Sequence, residues 1–262
     1  MEGMINEMEP LSLYKKNYKI ESDHVDFKGR LKLSSLFIYF QDIAGLHAEN
    51  LGLGMDFLHR KHNALWVLAR MRVDMIRYPL WNEQITIDTW PNGPGKIEFT
   101  RNFIVKDEDK NILAKAVSTW VIIDVESRKL QKAKSVYTGY PSIIEERAIN
   151  CKLGNLKSQG PLEIAYNRTV GYSDIDINRH LNNSKYIDFI MDCFTLKEHE
   201  EYSIKSIEIN YSKEALPEDT ISIYKDISQI HSNIIYIEGV NKRNGELSFK
   251  AQLSLETNDS AL

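Results

Sequence analysis

Residues 174–190 read Asp-Ile-Asp-Ile-Asn-Arg-His-Leu-Asn-Asn-Ser-Lys-Tyr-Ile-Asp-Phe-Ile. A run of carboxylates, amides and an imidazole leads directly into an amphipathic helix. Asn182, Asn183 or Ser184 can supply the side-chain oxygen that a helix N-terminus needs. Tyr186, Phe189, Ile190, Cys193 and Phe194 recur at helical spacing, so a helix near 182–195 with one buried face is expected. In an extended segment before that helix, alternation aims Asp176, Asn178 and His180 the same way. They would meet at the helix start, where backbone N–H groups lack partners and the dipole is positive. Such a set suits attack on a carbonyl and stabilisation of the resulting oxyanion.

Blander readings fit less well. An Asp-x-Asp-x-Asn calcium loop wants Gly at its sixth position and Glu at its twelfth, and counting from Asp174 these are Arg179 and Lys185. Zinc needs three or four ligands, and His180 has no His or Cys at ligand spacing. Neither a metal nor a cofactor is expected. Helix capping alone explains Asn182 to Ser184 but not the alternating Asp176, Asn178 and His180.

Outward from this stretch, the pattern points to one unit written twice. In the second half a strand near 163–171 precedes the motif, and strands near 203–212, 220–229, 232–240 and 247–256 follow the helix. Asn244-Gly245 marks a hairpin between the last two. In the first half a helix over 34–53 is expected, capped by Ser34 or Ser35 and ended by Gly52 and Gly54. Leu36, Phe40, Ile43, Ala44, His47 and Leu51 form its apolar stripe, with His47 a core or pocket-wall residue. Strands near 65–77, 83–90, 97–106 and 112–124 follow. Residues 141–160 carry little pattern and read as a linker between units at 11–140 and 161–256. A helix followed by an antiparallel meander, used twice, predicts an α+β fold in which each sheet wraps a helix.

By eye, Ser35-x-Phe37-Ile38-x-Phe40 lies on Ser184-x-Tyr186-Ile187-x-Phe189, which sets Gly29 and Leu31 opposite Asn178 and His180. Met71-x-Val73-x-Met75 lies on Ile207-x-Ile209-x-Tyr211, which sets Tyr78 opposite Glu214. The first copy keeps the scaffold and lacks the polar set. Groups needed only for folding should occur in both copies, so the set is read as functional.

The chain resembles the acyl-acyl carrier protein thioesterases, the family of plant plastid fatty acyl thioesterases and their bacterial relatives. The resemblance covers about 11–256. It rests on Asp176-Ile-Asn178-Arg-His180-Leu-Asn182-Asn183-Ser-Lys185-Tyr186 and on Ser206-Ile-Glu-Ile-Asn-Tyr211-Ser-Lys213-Glu214. First-half matches are Leu65-Trp66-Val67-Leu-Ala-Arg70-Met71, Arg77-Tyr78-Pro79-x-Trp81, Asp88-Thr89-Trp90 and Ser118-Thr119-Trp120-Val121. The resemblance implies a double hotdog fold, with catalysis in the C-terminal unit and the acyl pocket shaped mainly by the N-terminal one. The family's catalytic aspartate, asparagine, histidine and glutamate fall on Asp176, Asn178, His180 and Glu214. Where many plant members carry a cysteine after that glutamate, this chain has Ala215.

Hydrolysis of a fatty acyl thioester on the phosphopantetheine arm of acyl carrier protein is then expected. Glu214 or Asp176 would be the general base, or a carboxylate would attack directly. N–H groups near Asn183 and Ser184 would hold the oxyanion. Phe40, His47, Met55, Trp66 and Met71 are candidate tunnel walls. Arg128, Lys129, Lys132 and Lys134 form a candidate docking run for the acidic carrier. An acyl-CoA thioesterase, a hotdog hydratase and a non-catalytic acyl-thioester sensor are the alternatives.

Composition narrows the class further. The 262 residues are 42% hydrophobic and 27% charged, ordinary for a soluble globular chain. The net charge of −4 argues against nucleic-acid binding through a basic surface. Cys151 and Cys193 make no disulfide framework, which fits a reducing cytosol. Met1 to Lys16 has no apolar core, so no signal peptide is read there, and no apolar run approaches a membrane span. A cytoplasmic protein is expected. It would be a monomer or homodimer, and from a bacterial source given the missing transit peptide.

Overall fold

The computed structural model describes residues 9–137 and 139–258. The acidic first eight residues fall outside it. The first half runs β1 (Tyr14–Lys19), α1 (Leu33–Asn50), α2 (Met55–His62), β2 (Ala64–Met75), β3 (Gln84–Pro91), β4 (Glu98–Lys106) and β5 (Ile112–Asp124). The second runs β6 (Glu163–Thr169), α3 (Asn183–Met191), α4 (Leu196–Glu201), β7 (Tyr202–Tyr211), β8 (Thr220–Asp226), β9 (Ile234–Asn241) and β10 (Leu247–Thr257). All ten strands form one sheet in the order β1-β3-β4-β5-β2-β7-β10-β9-β8-β6. Each half contributes five strands in equivalent order, so the protein is a double hotdog, as the sequence predicts.

The seam is the antiparallel pair β2 and β7, from Arg70 opposite Asn210 to Asp74 opposite Ser206. Arg72 faces Glu208 at its centre, on the pseudo-twofold axis. Inward-facing residues of β2, β4 and β7 alternate along their strands, among them Met71, Val73, Phe103, Val105, Ile207 and Ile209, all 1% exposed or less. They pack on α1 and α3. Phe40 of α1 meets Phe103 with ring centroids 4.7 Å apart. Burying each such ring contributes about 1.5–3 kcal/mol. Tyr18 and Tyr166 brace the two helices alike, donating to Tyr39 O at 3.3 Å and Phe189 O at 2.6 Å.

Several local expectations need correction. The N-cap of α1 is Lys32, which makes no side-chain cap bond, while Ser34 and Ser35 are buried in the first turn. Leu51 lies past the end of α1 as its C-cap. Gly54 does not end α1 but caps α2, an element the sequence reading lacks. α2 buries only Leu58, too little stripe to show as periodicity. β1 is also new. It is an edge strand, Tyr-Lys-Lys-Asn-Tyr-Lys, and half of its residues are exposed. The helix expected over 182–195 stops at Met191. Thr195 then caps α4, accepting from Glu198 N while Glu198 reaches back. The Asn244-Gly245 turn forms as expected, with Gly245 at φ 70°.

Candidate active site

Asp176, Asn178 and His180 sit together, but on a tight turn rather than an extended strand. Asp176 Oδ1 accepts from Asn178 N at 2.8 Å and from His180 N at 3.2 Å. Its other oxygen accepts from Asn178 Nδ2 at 3.3 Å. Asp176 N donates to His180 O at 2.9 Å, and Arg179 N to Asp176 O at 3.0 Å. Arg179 takes a left-handed φ of 64° to close the loop. Asp176 Oδ1 therefore holds the turn, and Oδ2 faces the Asn178 side-chain amide.

The counterpart in the first half corrects the alignment by one residue. Asp26 Oδ1 accepts from Lys28 N and Arg30 N at 2.8 and 3.0 Å, and Asp26 N donates to Arg30 O at 2.8 Å. Gly29, at φ 70°, holds the place of Arg179. Leu31 N donates to Pro79 O as Leu181 N does to Ala215 O. Opposite Asn178 and His180 thus stand Lys28 and Arg30, not Gly29 and Leu31. Tyr78 stands opposite Glu214, as read from the sequence. The first copy keeps its own aspartate, so absence from that copy singles out Asn178, His180 and Glu214 but not Asp176.

Glu214 follows β7. Ser212 N and Lys213 N continue the ladder to Ser248 O and Leu247 O at 2.9 and 3.2 Å. Ala215 is fully buried, its N–H donating to Tyr186 Oη at 3.2 Å and its carbonyl bonded to the motif turn. This clamp sets the Glu214 carboxylate beside the turn, with His180 Nε2 3.6 Å from Glu214 Oε2. The same oxygen accepts from Arg128 Nη2, which reaches across from the turn after β5. The sequence placed Arg128 only in a surface run, and no spacing signal ties it to a residue 86 positions away.

At the helix start, Asn182 Oδ1 accepts from Ser184 N at 2.9 Å, so that N–H is already spent. Asn183 N–H makes no hydrogen bond among the described residues. Tyr211, its phenol pushed far up by burial, donates to Asn183 O at 3.1 Å and fixes that end of α3.

A cavity of about 600 Å³ opens from Asn178, His180 and Glu214 into the first half. Its walls come from α1, from Met55 and Trp66, and from Phe99 and Trp120. Of the expected wall residues, Met55 and Trp66 line it. Phe40, His47 and Met71 do not, being 1% exposed or less in the packed core. His47 Nε2 donates to Leu11 O at 2.8 Å, so its Nδ1 accepts from Arg101 Nη1 at 2.9 Å. Burial and that guanidinium pull the imidazole down to about 4, so it stays neutral at pH 7.

Neither cysteine lines the cavity. Burial pushes the Cys193 thiol up to about 12, and raises Cys151 in the segment between the halves. Among the described residues no group of three or more His, Cys, Asp or Glu is arranged to hold a metal. None of the described helices is long and apolar enough to cross a membrane.

A continuous sheet around two helices, with Asn178, His180 and Glu214 beside a cavity walled largely by apolar side chains, defines a double hotdog. Residues 12–139 match the acyl-ACP thioesterase N-terminal domain and residues 162–259 the C-terminal domain. The chain belongs to the acyl-ACP thioesterase family. It is similar to a palmitoyl-acyl carrier protein thioesterase of Gossypium hirsutum, 28% identical over 77% of this chain and 52% of that one. It also resembles an oleoyl-acyl carrier protein thioesterase of Coriandrum sativum, 26% identical over 79% of this chain and 61% of that one. The chain thus spans between half and about three fifths of these curated relatives. A crystal structure of an acyl-ACP thioesterase from Bacteroides thetaiotaomicron superposes with a TM-score of 0.81 at 28% identity, covering 94% of this chain and 98% of that one.

Proposed function

We propose that this protein hydrolyses fatty acyl thioesters of acyl carrier protein, releasing a free fatty acid and the carrier thiol. The observation that carries the reading is the His180–Glu214 pair at the mouth of the 600 Å³ cavity. A cavity of this size with apolar walls accepts an alkyl chain and presents its thioester to the polar turn.

Glu214 is taken as the general base, because Asp176 Oδ1 holds two backbone N–H groups of the turn while Glu214 Oε1 has no partner among the described residues. Water, not a thiol, attacks, since Ala215 stands where a cysteine would be. Asn178 orients the water. His180 donates to the departing thiolate, and Asn183 N–H faces the oxyanion at the positive end of α3. Lys129, Lys132 and Lys134 are exposed and offer a basic surface to the acidic carrier.

The direct test is release of free thiol from acyl carrier protein loaded with chains of graded length, beside the matching acyl-CoAs. Fast release from one carrier-bound length class, weak from CoA, is expected. Tight acyl-thioester binding with no release from either series would sink the enzymatic reading and favour a sensor.

A further inference from the structure

Among the described residues, Arg128 is the one first-half group that donates to the Glu214 carboxylate. Its backbone is firmly placed. Arg128 N donates to Asp124 O at 3.0 Å, Asp124 N to Lys129 O at 2.9 Å, and Val125 N to Asn63 O at 2.9 Å. Ser127 adds bonds from its N and Oγ to Asp124 Oδ1 at 2.8 and 2.7 Å. From this tied-down turn the guanidinium donates to Glu214 Oε2.

Glu214 needs such a restraint. Its side chain is 39% exposed and has three rotatable bonds. The His180 Nε2 contact at 3.6 Å is too long for a hydrogen bond. Arg128 therefore supplies the only hydrogen bond to this carboxylate among the described residues, and it is charge-assisted. Arg128 and His180 both face Oε2, and Oε1 has no partner among the described residues.

We propose that Arg128 is a positioning residue for Glu214. It holds Oε2 so that Oε1 is the oxygen left to take the proton from the attacking water. The first half then takes part in the chemistry as well as housing the chain. The inference rests on the thioesterase reading above. Its rival is that Arg128 works with Lys129, Lys132 and Lys134 in docking the carrier, a role that needs no contact with Glu214.

The two roles separate kinetically. Arg128→Gln and Arg128→Lys would be assayed on one acyl group carried either by acyl carrier protein or by N-acetylcysteamine, which has no carrier to dock. A positioning role predicts that Arg128→Gln lowers kcat about 10- to 100-fold on both substrates with KM little changed. Arg128→Lys should recover part of that loss, because one ammonium can still reach Oε2 but without the planar fork. Arg128→Gln should add little further loss in a Glu214→Gln background, since the pair acts as a unit. A KM increase confined to the carrier substrate, with kcat kept, would overturn the proposal, as would full additivity with Glu214→Gln. Unchanged thermal midpoints check that the variants fold, and Arg128→Lys carries the test if Arg128→Gln does not. A wild-type protein that cleaves neither thioester would remove the thioesterase reading itself, an outcome distinct from a failed Arg128 effect.

Discussion

Asp26 and Asp176 each fold the chain back on itself with one carboxylate oxygen on two backbone N–H groups, and the turns they make differ in what they present. The second turn presents Asn178 and His180 to a cavity of about 600 Å³. The first presents Lys28 and Arg30 to a space of about 220 Å³. There Arg30 Nη1 donates to Ser203 Oγ at 2.9 Å, Lys28 Nζ to His199 O, and Tyr78 Oη to Ile204 O at 2.9 Å. Burial lowers the Lys28 ammonium, and the neighbouring Arg30 lowers it further. α1 runs 18 residues, whereas α3 stops after 9 and hands over to α4, whose end packs over the first turn. One backbone device thus carries the polar set proposed as the reaction site in one copy and a cross-half clasp in the other. The backbone is common property, and the chemistry belongs to the side chains set on it.

The largest contrast should be Glu214→Gln against Tyr78→Phe. The first should cut kcat at least about a hundredfold, the scale of a lost general base. The second should leave turnover alone and cost about 1 kcal/mol of stability, one buried hydrogen bond. Near-native turnover in Glu214→Gln would take that residue out of the mechanism and break the comparison. A smaller effect separates the aspartates. Asp26→Ala and Asp176→Ala should each lose about 1–2 kcal/mol in urea unfolding, because each strands two backbone donors. Asp176→Asn, which keeps an accepting oxygen, should restore the stability and most of the rate. A large rate loss in a stable Asp176→Asn would show that the charge itself is used. The smallest effect is expected at the left-handed position. Arg179→Gly should gain about 0.5–1 kcal/mol by relieving the φ that Gly29 adopts freely, read as a raised thermal midpoint.

The sequence made the repeated helix-and-meander plan legible because buried stripes and β-branched runs carry a period. It left β1 unread because an edge strand alternating Tyr with Lys and Asn buries too little to show one. The grouping of Asn178, His180 and Glu214 was visible through contrast with the other copy. The contrast does not extend to Asp176, because the apolar helix residues of the two copies also match one position out of register, which hides Asp26. Arg128 was unreadable as a site residue, since only the strand order β5-β2-β7 brings the turn after β5 near the segment after β7.

At the seam, Arg72 faces Glu208 across the pseudo-twofold axis that joins the copies. Two separate copies of one hotdog chain, related by a true twofold, would have to carry every substitution in both turns at once. Joining the copies in one polypeptide lifts that obligation. One turn can then carry Lys28 and Arg30, with Tyr78 beside it, as a fastening, while the other carries Asn178 and His180 beside Glu214. On the proposed reading, one chain carries one reaction site where a twofold pair of single hotdogs would carry two, and the half without the site supplies walls of the cavity.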